Sequence, residues 1–153
     1  TDFDGSTGGT SATAMREPMG LAFDDQNRRL FVADKSNNRV LVFQVPATID
    51  GGFAAKWVLG QPDFNSTSST TSATSLYNPE GVSYDAISNR LYVADTGNNR
   101  VVVFDVTAVD AGEAAIAVIG QPKFDGGGSG VSQSVVSRAA HEASLVPSAS
   151  QTV

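Results

Sequence analysis

One heptapeptide occurs twice in this chain, as Pro18-Met19-Gly20-Leu21-Ala22-Phe23-Asp24 and, 61 residues later, as Pro79-Glu80-Gly81-Val82-Ser83-Tyr84-Asp85. The likeness extends on both sides, because 15 of 31 positions are identical between residues 15–45 and 76–106. A further block at 58–64, with Gly-Gln-Pro at its centre, recurs at 118–124. Self-similarity at a fixed period is typical of repeat proteins, so the chain contains two copies of one structural unit.

Within each unit, short stretches of alternating apolar residues are separated by turn residues. Asp, Asn and Gly cluster in these turns, where they tolerate positive φ and bond nearby backbone N–H groups. Sequential short strands joined by tight turns form an antiparallel meander, so the predicted fold class is all-β. The predicted strands cover 20–24, 29–34, 39–45 and 55–59 in the first unit, and 81–85, 90–95, 100–106 and 115–119 in the second.

A segment rich in Ser and Thr precedes each unit, at 4–13 before the first and at 65–75 before the second. Both are longer than most loops in compact domains, and loops of that length are commonly functional or disordered. These two linkers are therefore the first place to look for function.

Composition excludes several classes of function. With 153 residues and a net charge of −6, the chain is long enough for one ordinary domain and too acidic to be an expected nucleic-acid partner. It has no Cys and one His, which excludes disulfides, thiolate metal sites and a multi-histidine site within one chain. No apolar run reaches the 18 or more residues of a membrane span, so no membrane insertion is expected. The first residues are neither a Met start nor a signal peptide, which predicts a processed amino terminus.

The combined motifs resemble NHL repeats, and most closely the long-loop form of secreted bacterial repeat proteins. These motifs are Pro-x-Gly-x-x-x-Asp, Leu-aromatic-Val-Ala-Asp, Asn-Asn-Arg-Val-x-Val-Phe and Gly-Gln-Pro-x-Phe, and they extend over residues 1–124. The resemblance implies that each unit is one four-stranded antiparallel blade of a β-propeller, with the strand after Pro18 or Pro79 innermost. It also implies blades with leading linkers at 1–61 and 62–122, followed by a divergent tail at 123–153.

The tail departs from the pattern, since no Pro-x-Gly follows the second Gly-Gln-Pro-x-Phe motif. Apolar residues within 131–146 are spaced as on one face of a short helix that ends at Pro147, and an extended strand is the alternative. The tail also contains His141, which we interpret as a solvated helix residue rather than a general base.

Two blades leave two large apolar faces uncovered, because a blade buries its faces only against neighbouring blades. We therefore expect self-association, either as a homotrimer that closes a six-bladed ring or as a filament. The alternative is that these residues are a fragment of a longer propeller.

The resemblance implies a non-enzymatic β-propeller module for protein or glycan binding and self-assembly, located outside the cell or at its surface, with no cofactor and no metal. It places the turn between the second and third strands beside the Ser/Thr-rich linkers, on a polar, uncharged face. Asn65-Ser66-Thr67 fits the N-glycosylation acceptor pattern, which makes Asn65 a candidate glycosylation site. The candidate ligand-binding residues are Lys35, Asn37, Asn38, Trp57, Thr96, Asn98 and Asn99.

Two motifs have competing interpretations. The oxygen-rich turns 34–39 and 95–100 could hold a cation such as Ca²⁺, or they could be hairpin turns in which Asp caps backbone N–H groups and Arg pairs with a carboxylate. The aromatic residues Phe3, Trp57, Phe64 and Phe124 could form a sugar-stacking platform, or the repeated Phe residues could anchor the linkers.

Two further functions are alternatives. One is a structural subunit of an extracellular filament. The other is a propeller enzyme with a metal in the central channel, for which the available carboxylates are Glu17, Asp24, Glu80 and Asp85.

Overall fold

A computed structural model describes residues 8–129, and these form two four-stranded antiparallel sheets with strand orders β1-β2-β3-β4 and β5-β6-β7-β8. The all-β prediction is confirmed, and we call the two sheets the first and second blade. The first blade consists of β1 (Pro18–Asp24), β2 (Arg29–Asp34), β3 (Arg39–Gln44) and β4 (Trp57–Leu59). The second consists of β5 (Pro79–Asp85), β6 (Arg90–Asp95), β7 (Arg100–Asp105) and β8 (Ala117–Ile119).

The strands differ from the prediction mainly at their ends. The innermost strand begins two residues early, at Pro18, and the register shifts between Pro18 and Leu21. A proline lacks a backbone N–H and is tolerated at the first residue of a strand. The fourth strand of the first blade begins at Trp57 rather than at residue 55, because the Ala55 N–H donates to the Ala12 carbonyl of the preceding linker instead of to β3.

The second and third strands of each blade are joined by one 3₁₀ turn, Lys35–Asn37 or Thr96–Asn98. The next residue is left-handed in both, with φ of 54° at Asn38 and 52° at Asn99. Asparagine visits this region more readily than most residues. The predicted role of these Asn-rich turns is thus confirmed.

The main hydrophobic core lies between the two blades. Phe31, Val40 and Leu59 of the first blade pack in one cluster with Leu91 and Phe104 of the second, and all five are essentially inaccessible to solvent. At the inner strands, the ring of Phe31 stacks on that of Tyr84 with centroids 5.7 Å apart. The blades therefore associate through apolar surfaces, as neighbours in a propeller do.

A second cluster covers the other side of the first blade. Val32, Leu41 and Phe43 are buried there with Ala55 and Val58. The ring of Phe53, from the loop between β3 and β4, lies edge-on to that of Phe43 at 5.9 Å. The blade's own loop therefore covers the outer strands on this side, and the apolar surface that stays exposed lies on the inner strand.

Each blade keeps part of the apolar surface that the repeat count predicts to be exposed. On β1, Met19, Leu21 and Phe23 are 52 %, 65 % and 43 % exposed. On β8 of the second blade, Ile119 is 49 % exposed.

No helix among residues 8–129 is long and apolar enough to cross a membrane. The helix or strand predicted within 131–146, His141 and Phe3 lie outside the described residues.

Candidate functional site

The candidate site is the face where the linkers meet the turns between the second and third strands. We call it the loop face, and it comprises residues 8–17, 34–39, 60–78 and 95–100. A buried ion pair organises it in the first blade: Arg39 Nε donates to Asp34 Oδ2 at 2.7 Å, and both side chains are 0 % exposed. Asp34 Oδ1 accepts the Arg16 N–H at 2.6 Å. One oxygen of the Asp34 carboxylate therefore accepts a backbone N–H group, and the other binds the arginine.

The Arg39 guanidinium ties two linkers to the blade. It donates to the carbonyl oxygens of Ser11 at 3.0 Å, in the first linker, and of Ala14 at 2.8 Å, directly after it. A further hydrogen bond reaches the carbonyl of Phe64, which directly precedes the second linker. The planar fork of arginine suits this task, because it presents several donors in fixed directions.

The second blade repeats the arrangement. Arg100 Nε lies 2.7 Å from Asp95 Oδ2, and Asp95 Oδ1 accepts the Tyr77 N–H at 2.6 Å. Arg100 also donates to the carbonyls of Ser72 at 2.7 Å, Ser75 at 3.0 Å and Phe124. Of the two interpretations of these turns, the structure shows the hairpin with a buried Asp–Arg pair. The backbone N–H groups that the two carboxylates accept belong to Arg16 and Tyr77 and not to the turns themselves. Within residues 8–129, no three His, Cys, Asp or Glu side chains are grouped as a metal site.

The candidate amide side chains mostly hold the linkers. Asn37 Nδ2 donates to Asp34 Oδ2 and to the Gly9 carbonyl, both at 2.9 Å. Asn98 is bonded in the same way to Asp95 and to the carbonyl of Thr70. Because Asn37 and Asn98 are only 2 % and 4 % exposed, they present little surface to a ligand.

Asn38 connects the two blades. Its Oδ1 accepts the Asn78 N–H at 2.9 Å, and its Nδ2 donates to the Thr67 carbonyl at 2.9 Å. Its counterpart Asn99 is exposed, and its Nδ2 donates to the Gly127 carbonyl at 3.2 Å. Asn99 is therefore the more accessible of the two.

The other candidates occupy three different environments. Lys35 Nζ lies 3.0 Å from Glu80 Oε1 on the second blade, and this hydrogen bond and the Glu80 charge raise the pKa of Lys35. Thr96 is exposed on the second turn. Trp57 is half-buried against the core between the blades, and Lys56 Nζ lies 4.5 Å from its ring centroid.

The aromatic residues do not form one platform within the described part of the chain. Phe64 packs against the second hydrophobic cluster, whereas Trp57 and Phe124 pack against the core between the blades. This placement agrees with the interpretation of the repeated Phe residues as anchors. Asn65 is exposed, next to a turn in which Asp63 Oδ1 accepts the N–H groups of Asn65 and Ser66, both at 2.8 Å.

The carboxylates considered for a channel metal are each engaged with a protein donor. Asp24 binds Arg29 at 2.6 Å and Glu80 binds Lys35. Glu17 accepts the Ser36 hydroxyl, and Asp85 accepts the Ser88 hydroxyl at 2.5 Å. They do not converge on a common point.

Gln61 is a site residue that the sequence analysis missed. It is 1 % exposed, and its Nε2 donates to the carbonyls of Asn38 at 2.9 Å and Ser68 at 2.8 Å. Its Oε1 is buried without a hydrogen-bond partner. The signal was present in the repeated Gly-Gln-Pro motif, because Gln121 makes the equivalent bonds to Asn99 and Gly128.

A cavity of about 370 Å³ lies beside Gln61, where the second linker approaches the loop between β7 and β8. Four of its eight lining residues carry a hydroxyl group, and no charged side chain contributes. Its lining residues are Gly60, Gln61, Pro62, Ser68, Thr70, Thr74, Ser75 and Gly112.

Both blades contain a segment that matches the same known type of repeat. Residues 15–43 and 76–104 each match the NHL repeat, covering the first three strands of either blade and the turns between them. Two segments of the chain are therefore similar to NHL repeats. Each NHL repeat here forms one propeller blade, with the paired Asp and Arg at the turn between its second and third strands.

One relative extends this likeness. A human protein, NHL repeat-containing protein 2, is 30 % identical over 93 residues. The match covers 60 % of this chain and 12 % of the human protein, so this chain corresponds to a small part of that relative.

Proposed function

We propose that this pair of NHL repeats is a non-enzymatic β-propeller module of the secreted, long-loop type, which self-associates through its open blade faces and binds a protein or glycan on its loop face. The observation that carries the proposal is that the open faces repeat the two sides of the interface already buried between the blades. A second copy of the chain is therefore the occupant that fits them, because it continues an existing interface.

The exposed side of the first blade corresponds to the buried side of the second. In the interface, Leu76, Val82 and Tyr84 pack against the first blade. The repeat offset assigns Met15, Leu21 and Phe23 to the same positions, and these apolar side chains are 37 %, 65 % and 43 % exposed.

The exposed side of the second blade corresponds to the buried side of the first. Tyr92 is the counterpart of Phe31, on which Tyr84 stacks. A groove of about 240 Å³ runs over this surface, lined by Gly81, Tyr92, Ala94 and Val101 among others. Phe23 of a second copy would stack on Tyr92 there, as Tyr84 stacks on Phe31.

Such a contact joins two different surfaces, so it is head to tail. If the rotation per blade closes, three copies form a ring of six blades, which is within the usual range for propellers. If it does not close, the same contact continues as a filament.

Gly20 and Gly81, which occupy equivalent positions in the two repeats, allow a test of this contact. A Cβ on Gly20 would lie 2.7 Å from the Glu80 carbonyl oxygen across the interface, whereas one on Gly81 meets only Ala94 Cβ, at 3.5 Å. In a second interface of the same geometry, Gly81 faces β1 of the neighbouring copy. Gly81→Ala therefore leaves the fold of one chain intact and blocks association.

The test is light scattering of the wild-type chain and Gly81→Ala, with Gly52→Ala as the matched control because a Cβ there meets nothing within 4 Å. We expect about three times the monomer mass or a larger species for the wild type and Gly52→Ala, and a folded monomer for Gly81→Ala. If the wild-type chain is a monomer, self-association is refuted. This is the result expected if further blades of a longer polypeptide cover these faces. If Gly81→Ala assembles to the same extent as the wild type, the proposed geometry of the contact between copies is wrong.

The ligand-binding part of the proposal is supported by the chemistry of the loop face. Its exposed side chains are largely hydroxyls and amides, including Thr96, Asn99 and those of the second linker. Such groups suit sugar hydroxyls or a neutral peptide. The exposed Asn65 within an acceptor pattern supports an extracellular location, and a glycan at Asn65 on the native protein, detected by mass spectrometry, would test it.

A further inference from the structure

We infer that the cavity between the second linker and Gly112 is a binding site for a neutral, hydroxyl-bearing ligand of monosaccharide size. This inference deepens the glycan-binding part of the proposed function and does not depend on self-association. Three observations support it: an unpartnered buried acceptor, a chain of hydroxyl groups, and the absence of those groups from the other repeat.

The unpartnered acceptor is Gln61 Oε1. The amide nitrogen of Gln61 is committed to two backbone carbonyls, which determines which end of the amide carries the oxygen. That oxygen is buried and accepts no hydrogen bond within the described part of the chain. A buried acceptor without a donor is costly. Gln61 lines the cavity, but Oε1 itself has almost no accessible surface, so the O–H or N–H group of a ligand satisfies it only if the lining shifts.

The hydroxyl groups form a connected chain along the linker. Thr70 Oγ1 lies 2.7 Å from Ser75 Oγ, which lies 2.6 Å from Ser72 Oγ, and Ser72 Oγ lies 3.2 Å from Thr74 Oγ1. A hydroxyl both donates and accepts, so the chain can reorient to match either role of a ligand hydroxyl. Because no charged side chain lines the cavity, it offers no counter-charge to an ionic ligand.

The other linker lacks two of these hydroxyls. The repeat offset aligns Thr70 with Gly9 and Ser75 with Ala14, while the Ser72–Thr74 contact is kept as Ser11–Thr13, also at 3.2 Å. A blade therefore folds without the hydroxyls of Thr70 and Ser75. Their presence at the cavity is explained by a ligand rather than by the requirements of the blade.

The size of the cavity agrees with this ligand class. A volume of about 370 Å³ lies at the lower end of the range for small-molecule pockets, which begins at roughly 300 Å³. No aromatic side chain lines it, so recognition would rest on hydrogen bonds.

The test is saturation-transfer NMR and calorimetric titration with glucose, galactose, mannose and N-acetylglucosamine as probes. We compare the wild type with Ser75→Ala, which restores the residue of the first repeat, and with Thr74→Val. Thr13→Val is the matched control, because it removes the same hydroxyl from the equivalent Ser-Thr contact away from the cavity.

We expect binding of at least one sugar, weakened about ten-fold in Ser75→Ala and Thr74→Val and within about two-fold in Thr13→Val, as expected for the loss of one or two hydrogen bonds. Thermal denaturation of each variant verifies that it is folded. Sugar binding that neither cavity variant weakens would place the site elsewhere on the loop face and refute the cavity alone. If none of the four sugars binds, both the assignment of the cavity as a ligand site and the glycan-binding proposal are wrong. Self-association is tested separately, by the mass of the wild-type chain in light scattering.

Discussion

Replacing Arg39 with lysine tests whether the geometry of the guanidinium, and not only its charge, holds the loop face together. Arg39 is completely buried and makes four hydrogen bonds, one to Asp34 and three to linker carbonyls. Lysine keeps the charge, but its three donors radiate from one nitrogen atom and cannot reproduce the planar fork. At least one of the carbonyls of Ser11, Ala14 and Phe64 then loses its donor.

The expected cost follows from these contacts. Each acceptor left without a donor in a buried position costs about 1–3 kcal/mol. The carbonyls of Ser11, Ala14 and Phe64 are only partly buried, and one or two of them are affected while the Asp34 pair is kept. We therefore expect Arg39→Lys to lower the free energy of unfolding by about 1–3 kcal/mol. Arg39→Met, which leaves Asp34 buried without its partner, should cost more than the lysine variant, because breaking such a pair alone costs about 3–5 kcal/mol.

Urea denaturation followed by circular dichroism measures these losses, and hydrogen exchange locates them. We expect faster exchange of the Arg16 amide, which donates to Asp34. The matched control is Arg90→Lys, because Arg90 pairs with Asp105 at 2.6 Å on the surface of the second blade, where an ion pair contributes less than about 1 kcal/mol. Equal losses in Arg39→Lys and Arg90→Lys would refute the argument that buried geometry decides the cost.

Two further predictions concern backbone contact and acid sensitivity. Gly60→Ala should lower the free energy of unfolding by about 2–4 kcal/mol in thermal denaturation, because residue 60 has φ of +81° and a Cβ there would lie 2.4 Å from Leu76 Cδ1. Asp24 is buried, which by itself would raise its pKa, but hydrogen bonds from Asn27 and Arg29 outweigh burial and lower it below 3.8. The carboxylate therefore stabilises the fold above the unfolded-state value of 3.8, and this contribution is lost as the pH falls through the lower folded-state pKa. We expect Asp24→Asn to lower the melting temperature at pH 7 and to reduce the difference in melting temperature between pH 7 and pH 2.

Each of these two predictions has a matched control. Gly120 has φ of +88°, but a Cβ there meets nothing closer than 3.6 Å, so Gly120→Ala should show the backbone strain alone. Equal costs at residues 60 and 120 would contradict the packing argument. For the acid profile, Asp25→Asn makes the same charge change at an exposed neighbour, and an equal effect of the two substitutions would contradict a specific role of Asp24.

Most of the strand architecture could be predicted from the sequence. Period-two alternation and the Asn-rich turns are local features, and they placed β2 and β6 at their observed bounds. The fourth strand was predicted too long, because the Ala55 N–H pairs with a linker residue 43 positions earlier in the chain, a contact with no local signal.

The candidate site was predicted less well, because burial and hydrogen bonding depend on the packing of distant segments. Asn37, Asn38 and Asn98 carry groups that suit a ligand, yet those groups are used by the linker carbonyls and by Asn78. Gln61 was overlooked, since its cavity is formed by the second linker and by Gly112, which is distant in sequence.

The sequence by itself determined that this protein is built from two similar four-stranded units, because a repeat with strand periodicity encodes local hydrogen-bond pairing twice. It also determined that each unit carries the same Asp and Arg at the same turn. Only the tertiary structure decided what those residues do, which side chains stay accessible and where a cavity opens. These properties arise where segments far apart in the chain approach one another, and no local pattern records that approach.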